Sequence, residues 1–273
     1  MPRWKRALLR HYRKAQIALV ACWLVLVGGA FLGWWLPRDH WPGYLVASVF
    51  LAILLNAWAR WQREKVLREA PLPQFLKRKL RDTYPTLSAK DCELVERGLR
   101  QFFLACLRSN RKFVAMPSRA VDAMWHEFIL HTRSYRDWCV LGLGWFLHHT
   151  PAEALGSQPT ANDGLRRAWY WACRDEAIKP RQPSRLPLLF ALDAKLAIAG
   201  GFHYVADCTG GVRNTRDGGS GGSPYCGTSF SDGSFSGDSS SFGGAESSSS
   251  SSDGSSSGDG SCGGGGCGGG GGN

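Results

Sequence analysis

Hydrophobic positions are concentrated in two uninterrupted stretches near the start of the chain. Residues 15–36 carry no charged side chain over 22 positions, and residues 41–59 carry none over 19. At about 1.5 Å per helical residue, each stretch can cross a hydrocarbon core of about 30 Å. The short link between them makes the two helices antiparallel neighbours. The pattern predicts a two-helix transmembrane hairpin within residues 1–70, with helices at about 15–36 and 41–59.

Basic residues flank both apolar stretches and predict their orientation. Residues 1–14 contain six basic and no acidic side chains, and residues 60–82 contain eight basic against three acidic ones. Because basic residues stay on the cytoplasmic side of a membrane, we expect a multi-pass protein of the cell (inner) membrane with both termini in the cytoplasm. A cleaved signal peptide is the alternative for the first stretch, but a second apolar run follows it directly.

The formal net charge of +11 raises the question of partners. The basic residues lie beside the apolar stretches, so the lipid bilayer is the expected partner. Nucleic-acid binding by residues 60–82 is an alternative that we do not favour, and any protein partner is unknown.

Helical periodicity replaces the continuous apolar pattern after Pro71. Apolar residues recur at helical spacing in several runs, and Ser88 and Asp91 have the spacing of a capping box. The runs cover residues 89–109, 118–129, 134–143, 162–177 and 186–198. No alternation typical of strands is visible. The protein is therefore predicted to be mainly α, with a small all-helical cytoplasmic domain of about five helices at residues 71–208.

The last part of the chain, residues 209–273, holds 23 of the 34 glycines and is otherwise rich in serine, aspartate and cysteine. So few apolar side chains cannot repay the entropy of ordering the chain. This composition predicts a disordered Gly/Ser/Cys-rich tail of low complexity. The nine cysteines include no C-x-x-C pair, and disulfides are not expected in a cytoplasmic domain.

Candidate chemistry is concentrated in residues 117–151, which contain four of the seven histidines. His126 and His131 are five residues apart, so they lie about 140° apart around a helix and cannot chelate one ion. A zinc site could instead form from His126, Cys139 and either His148 or His149, because mixed His/Cys ligation suits zinc.

Two other interpretations of these histidines remain open. In the first, Trp125 and His126 pack in the core near Tyr135, and His148 and His149 end a helix before Pro151. In the second, Cys139 is a catalytic nucleophile with a histidine as its base.

A family resemblance covers roughly residues 74–175. Its residues are Pro117, Asp122, Trp125, His126, Tyr135 and Cys139, in the order D-x-x-W-H, then Tyr, then Cys. This run resembles the signature of the glycine-rich domain-containing protein-like family of plants and fungi, and especially of its bacterial relatives. Those relatives also share WHEFILHTRSY and a later G-x-F-x-H-H-x-P. Plant members often have a second histidine where this chain has Phe128, and most of them are soluble.

The resemblance implies a candidate functional cluster but no established catalytic activity. The cluster consists of Asp122, Trp125, His126, Tyr135, Cys139, His148 and His149, with His126, Cys139 and His148 as the metal-ligand set. We expect a membrane-anchored, non-enzymatic interaction module whose Trp/His-rich face or tail contacts a partner. The alternative is a zinc-binding or thiol-dependent enzyme that uses the cluster at residues 126–149.

Overall fold

The computed structural model describes residues 3–33, 41–151, 159–207, 224–232 and 242–246. Within these residues the chain forms nine helices and five short strands. The helices are α1 (Arg3–Phe31), α2 (Trp41–Glu69), α3 (Phe75–Thr83), α4 (Ala89–Arg108), α5 (Arg119–Leu130), α6 (Thr132–Gly142), α7 (Pro159–Asp175), α8 (Leu188–Lys195) and α9 (Gly227–Asp232). The strands are β1 (Val114–Ala115), β2 (His148–Thr150), β3 (Tyr204–Val205), β4 (Tyr225–Cys226) and β5 (Gly244–Glu246). The predicted mainly helical fold is confirmed.

Helices α1 and α2 contain the two apolar stretches and are long and apolar enough to cross a membrane. Only 6% of the apolar segment of each helix is buried. A core helix of a soluble protein would be mostly buried, whereas Leu24 is 69% exposed and Phe50 is 61% exposed. α1 ends at Phe31, earlier than predicted, because Gly33 adopts a left-handed φ of 73° and stops the helix. The predicted link falls outside the described residues.

The C-terminal end of α2 enters the folded domain without a break. The buried residues of α2 are Ala59, Gln62, Arg63 and Leu67, all beyond the predicted apolar stretch or at its very end. Leu67 packs directly against Gly142 of α6, where an added Cβ would overlap the leucine side chain. The carbonyl of Leu67 accepts a hydrogen bond from Arg100 of α4 (2.9 Å). The hairpin and the domain therefore share one continuous helix.

Helix α4 lies at the centre of the domain and contacts α2, α3, α5, α7 and α8. It begins with the predicted capping box, in which the Ser88 hydroxyl accepts from Asp91 N–H (3.2 Å) and the Asp91 carboxylate accepts from Ser88 N–H (2.9 Å). Gly98 lets α8 and α5 approach closely, because a Cβ there would overlap Leu192 and touch Val121. Most of the other residues in the C-terminal half of α4 are buried, because the surrounding helices pack against them.

Two small sheets correct the prediction of an all-helical domain. β5 lies between β1 and β2 in a three-stranded antiparallel sheet, and β3 pairs with β4 in parallel. His148 and His149 therefore lie in a strand, and the expectation that they end a helix is wrong. Strands of two or three residues are too short for alternation to be visible in the sequence, which is why they were not predicted.

Parts of the predicted tail belong to the folded domain. Phe230 and Phe242 are 2% and 1% exposed, and Phe242 stacks on Phe202 with ring centroids 4.4 Å apart. These phenylalanines provide the apolar burial that the surrounding Gly/Ser sequence lacks, so the domain extends beyond the predicted boundary at residue 208. Cys226 in β4 is disulfide-bonded, contrary to the expectation of no disulfides. The rest of the predicted tail lies outside the described residues.

Candidate metal centre

The start of α5 is fixed by a buried carboxylate that sequence reasoning did not single out. Asp193 of α8 is 1% exposed. It accepts four hydrogen bonds, from the Ser118 hydroxyl (2.6 Å) and the backbone N–H groups of Arg119 (2.8 Å), Ala120 (3.3 Å) and Phe202 (3.0 Å). Ser118 is also the N-cap, and its hydroxyl accepts from Val121 N–H (3.3 Å). A negative charge at the N-terminal end of a helix accepts hydrogen bonds from the free N–H groups and interacts favourably with the positive end of the helix dipole.

One turn further along α5, Asp122 and His126 project on the same side because they are four residues apart. His149 of β2 faces them. The Asp122 carboxylate lies 3.4 Å from His126 Nδ1 through Oδ2 and 3.5 Å from His149 Nε2 through Oδ1. The three potential ligand atoms all lie within 4.8 Å of one another. Among the described residues, the structure thus brings together two imidazoles and one carboxylate.

These three side chains border a cavity of about 400 Å³. Its other walls come from the residue after α3, from the segment between β1 and α5 and the start of α5, from the residue after β2, and from the segments before β3 and β5; they include Tyr84, Met116, Arg119, Pro151, Phe202 and Gly243. Burial raises the pKa of the Tyr84 phenol, so this group is a neutral hydroxyl. The site is therefore partly shielded, with His126 the most exposed of the three candidate ligands at 49%.

Two polar atoms of the site are shielded from solvent but lack a hydrogen-bond partner among the described residues. They are Asp122 Oδ1 and His149 Nε2, which lie 3.5 Å apart. Leaving a buried polar atom unpaired costs about 1–3 kcal/mol. An ion held between them would remove this cost, because each atom would become a ligand.

The position of His149 depends on a buried hydrogen-bonded chain from α5 to the loop before β2. Trp125 Nε1 donates to the Tyr135 hydroxyl (3.1 Å), and that hydroxyl donates to the Leu147 carbonyl (2.7 Å). The Trp125 ring also packs against the His149 ring, with centroids 4.8 Å apart. Burial raises the pKa of Tyr135, so its hydroxyl keeps the proton that it donates. Trp125 and Tyr135 therefore position a candidate ligand.

Cys139 and His148 do not join the site, so the predicted ligand set of His126, Cys139 and His148 is corrected. Cys139 is fully buried and its thiol is close to the Tyr135 hydroxyl and Leu147. His148 is exposed and its ring packs on Phe146 at 4.8 Å. Neighbouring strand residues point to opposite faces, so when His149 faces α5, His148 points away.

Asp122 was predicted as part of the cluster but not as a ligand. Its spacing from His126 was the available signal, because residues at i and i+4 share a helix face. His131 is also outside the site: its ring packs on Phe75 at a centroid distance of 3.8 Å, and its Nδ1 lies 3.1 Å from the Glu127 carbonyl oxygen.

The ligand atoms fit a divalent transition-metal ion. Two imidazole nitrogens and a carboxylate are a usual set for zinc and for non-haem iron. Ligands at about 2.1 Å from a tetrahedral ion are about 3.4 Å apart, close to the imidazole–carboxylate distances of 3.4 and 3.5 Å. These two distances run to different carboxylate oxygens, and one ligand atom from each side chain lies within 4.8 Å of the others, so the three side chains would draw together on an ion. Only three protein ligands would hold such an ion, which leaves at least one coordination position open towards the cavity.

The comparisons with known proteins identify the family but no activity. A family model described as UCP032817-like matches residues 62–230. The chain belongs to this family, since the match covers more than half of it. The matched region contains Asp122, His126 and His149, and begins near the end of α2. No curated protein and no solved structure matches the chain.

Proposed function

We propose that the protein is a membrane-anchored domain that binds one divalent transition-metal ion through Asp122, His126 and His149. The observation that supports this most directly is the pair of shielded, unpartnered atoms, Asp122 Oδ1 and His149 Nε2. They face each other at the border of a cavity, beside a second imidazole. Zinc is the first candidate because it is bound by this ligand set without redox chemistry.

The burial pattern disfavours the two other functional interpretations. Trp125, Tyr135 and Trp138 are between 0% and 8% exposed, so most of the predicted Trp/His-rich contact face is core. A partner of an interaction module would need a different surface. Burial raises the pKa of the Cys139 thiol to about 11, so almost no thiolate is present near pH 7. A buried, protonated thiol is a poor nucleophile.

The metal site also gives a reason for the resemblance to the glycine-rich domain-containing protein-like family. We propose kinship with that family because the shared motif converges in space. Asp122 and His126 are candidate ligands, and Trp125 and Tyr135 position a third. The Pro117 carbonyl accepts a hydrogen bond from Tyr204 (3.1 Å) next to the N-cap of α5.

The proposed anchor is the α1–α2 hairpin, with both termini on the cytoplasmic side. Its apolar side chains are largely exposed, and the basic residues start where α2 becomes buried in the domain. Protease treatment of right-side-out and inverted membrane vesicles carrying the full chain with a C-terminal epitope tests the orientation. We expect cleavage of the domain in inverted vesicles alone. Cleavage in right-side-out vesicles would place the domain outside, where a disulfide at Cys226 forms readily.

Metal binding is tested on the full chain purified in detergent. The apoprotein should bind about one equivalent of Zn²⁺, measured by elemental analysis after desalting. Asp122→Asn, His126→Ala and His149→Ala should each lose most of this metal. His148→Ala is the matched control, because it removes the neighbouring imidazole on the opposite face of β2 and should leave binding unchanged.

Thermal unfolding distinguishes lost binding from lost folding. Zn²⁺ that binds the folded state should raise the melting temperature of the wild type and of His148→Ala. The three ligand variants should fold and show no such rise. A wild-type protein that folds but retains no zinc, cobalt or iron would overturn the proposal. So would equal metal loss in His148→Ala and His149→Ala.

A further inference from the structure

We propose that the metal centre binds a small oxyanion, with Arg119 holding the part of the ligand that the metal does not. This inference rests on the proposed metal site and specifies the chemical class of its ligand. The shared chemistry is a carboxylate or phosphate group.

The loaded cavity carries a net positive charge. The ligands would be two neutral imidazoles and one carboxylate, so a divalent ion leaves a charge of +1 at the centre. Asp193, the nearby second carboxylate, is buried and accepts four hydrogen bonds at the start of α5. Its charge is therefore offset by that helix terminus. The Arg119 guanidinium adds a further positive charge to the same cavity.

Arg119 is held in place but keeps its guanidinium available. Its backbone N–H donates to Asp193 (2.8 Å), which fixes the main chain independently of the side chain. The guanidinium carbon lies over the Phe202 ring, 5.5 Å from its centroid, and among the described residues the Arg119 side chain makes no hydrogen bond or ion pair. The Asp122 carboxylate lies 3.4 Å from His126 and 3.5 Å from His149, and no ion pair joins it to Arg119 among the described residues.

The size and walls of the cavity favour a small ligand. About 400 Å³ lies near the lower end of the range for small-molecule sites. Arg119 precedes Asp122 by one helical turn, so the guanidinium and an ion on Asp122 lie along one side of α5. An oxyanion can then place one oxygen on the open metal position and another on the guanidinium fork, which matches carboxylate and phosphate geometry.

A second basic cavity provides the control for charge alone. It has a volume of about 630 Å³ and is lined by Arg166, Arg167, Lys179 and Arg181, among others. Arg167 is committed to the Phe113 carbonyl and lies 3.6 Å from Asp163. No metal-ligand cluster was found there among the described residues. If anions bind merely because the protein is basic, Arg181→Gln should weaken binding as much as Arg119→Gln.

The experiment uses the full chain in detergent, loaded with Co²⁺ and titrated separately with inorganic phosphate and with oxalate. Anion binding at the metal should change the visible cobalt spectrum and saturate, and the metal-free protein should bind neither anion by calorimetry. Arg119→Gln should weaken anion binding to the cobalt-loaded protein by about 10-fold or more, the usual effect of losing a hydrogen bond from a charged group. Its cobalt affinity without anion should not fall below that of the wild type, because the exposed side chain is not a ligand and its positive charge repels the cation.

The outcomes separate the two proposals. A protein that loads cobalt but shows no spectral change with either anion overturns the oxyanion inference and leaves the metal site intact. Equal weakening by Arg119→Gln and Arg181→Gln also overturns it. A protein that binds no metal overturns both. Response to oxalate alone or to phosphate alone supports the inference and identifies the ligand group.

Discussion

Removing one oxygen atom from the core tests how the metal centre is supported. Tyr135→Phe deletes a hydroxyl that is the central member of the chain from Trp125 to Leu147. The hydroxyl is buried, accepts from Trp125 Nε1 at 3.1 Å and donates to the Leu147 carbonyl at 2.7 Å. The phenylalanine ring would keep its T-shaped contact with Phe128, whose ring centroid is 5.3 Å away. The change is therefore confined to the contacts of the hydroxyl, which are these two hydrogen bonds and its contact with the Cys139 thiol.

The expected cost follows from the two groups left without a partner. Each buried group that loses its hydrogen bond costs about 1–3 kcal/mol. We therefore expect the free energy of unfolding to fall by about 2–6 kcal/mol, with the lower values applying if a water molecule takes the place of the hydroxyl. Because Leu147 precedes His149 by two residues, the position of a candidate ligand should also relax. Loss of a group that supports a metal ligand typically weakens metal binding by about 10–100-fold.

The assay compares urea unfolding of the full chain in detergent, followed by tryptophan fluorescence, with Zn²⁺ affinity measured by competition with a chelator. Tyr170→Phe is the matched control, because that phenol is 44% exposed and should change neither quantity. A Tyr135→Phe protein that unfolds within about 0.5 kcal/mol of the wild type would refute the energetic argument. A stability loss with unchanged zinc affinity would show that the chain supports the core and not the ligand.

Two further substitutions test the polar contacts around the site and the domain. Asp193→Asn should lower the free energy of unfolding by about 2–4 kcal/mol, because the amide carries no charge and its NH₂ group cannot accept hydrogen bonds from the N–H groups at the start of α5. Thermal unfolding measures this loss, and Asp163→Asn, at an exposed position, is the control. Glu96→Gln should cost about 0.5–1 kcal/mol at pH 7. Burial raises the pKa of Glu96, but hydrogen bonds from Arg100 and Lys77 outweigh this effect and leave the pKa in the folded state below its usual value. The stability contributed by ionised Glu96 is therefore present above the unfolded pKa of about 4.3 and is lost as pH falls through the folded pKa. The free energies of unfolding of the wild type and of Glu96→Gln should therefore converge as the pH is lowered from 7 to 3. A constant difference would contradict this role of Glu96.

Most of the described helices were predictable because their signals are local; α3 and α9 were not predicted. The two uncharged stretches correspond to α1 and α2, and the Ser88–Asp91 spacing gave the capping box that starts α4. Helical periodicity over ten or more residues also indicated the regions of α5 to α8. The boundaries were less accurate: α1 starts at Arg3, well before the apolar stretch, because basic side chains are compatible with a helix outside the bilayer.

The small strands were not predictable because their partners are distant in sequence. β5 pairs with β1 and β2 across about 130 and 100 residues, and it lies in a region whose composition predicted disorder. Phe242, next to β5, stacks on Phe202, which is 40 residues earlier in the chain. A single aromatic residue in a Gly/Ser-rich sequence gives no periodic signal, so composition alone placed the domain boundary too early.

Only part of the candidate ligand set could be predicted from the sequence. Asp122 and His126 share a helix face through their spacing, and Tyr135 and Cys139 share another by the same rule, so the sequence could have placed Cys139 with the buried Tyr135 rather than with His126. The choice between His148 and His149 required knowing that they lie in a strand. In a strand, neighbouring side chains point to opposite faces, so only one of these two histidines can face α5.

The segment that delivers His149 is held from two sides, one of them the proposed membrane anchor. On the core side, Tyr135 binds the Leu147 carbonyl. On the other side, Gly144 has a φ of 84° and lies against the Arg63 guanidinium, so that a side chain at this position would overlap it. Arg63 belongs to α2 and donates to the Tyr12 hydroxyl of α1 at 3.2 Å. Helix α2 therefore contacts the turn between α6 and β2, and α1 holds the Arg63 side chain that makes this contact. The geometry of the candidate metal ligand is thus built on the packing of these two helices as well as on the core.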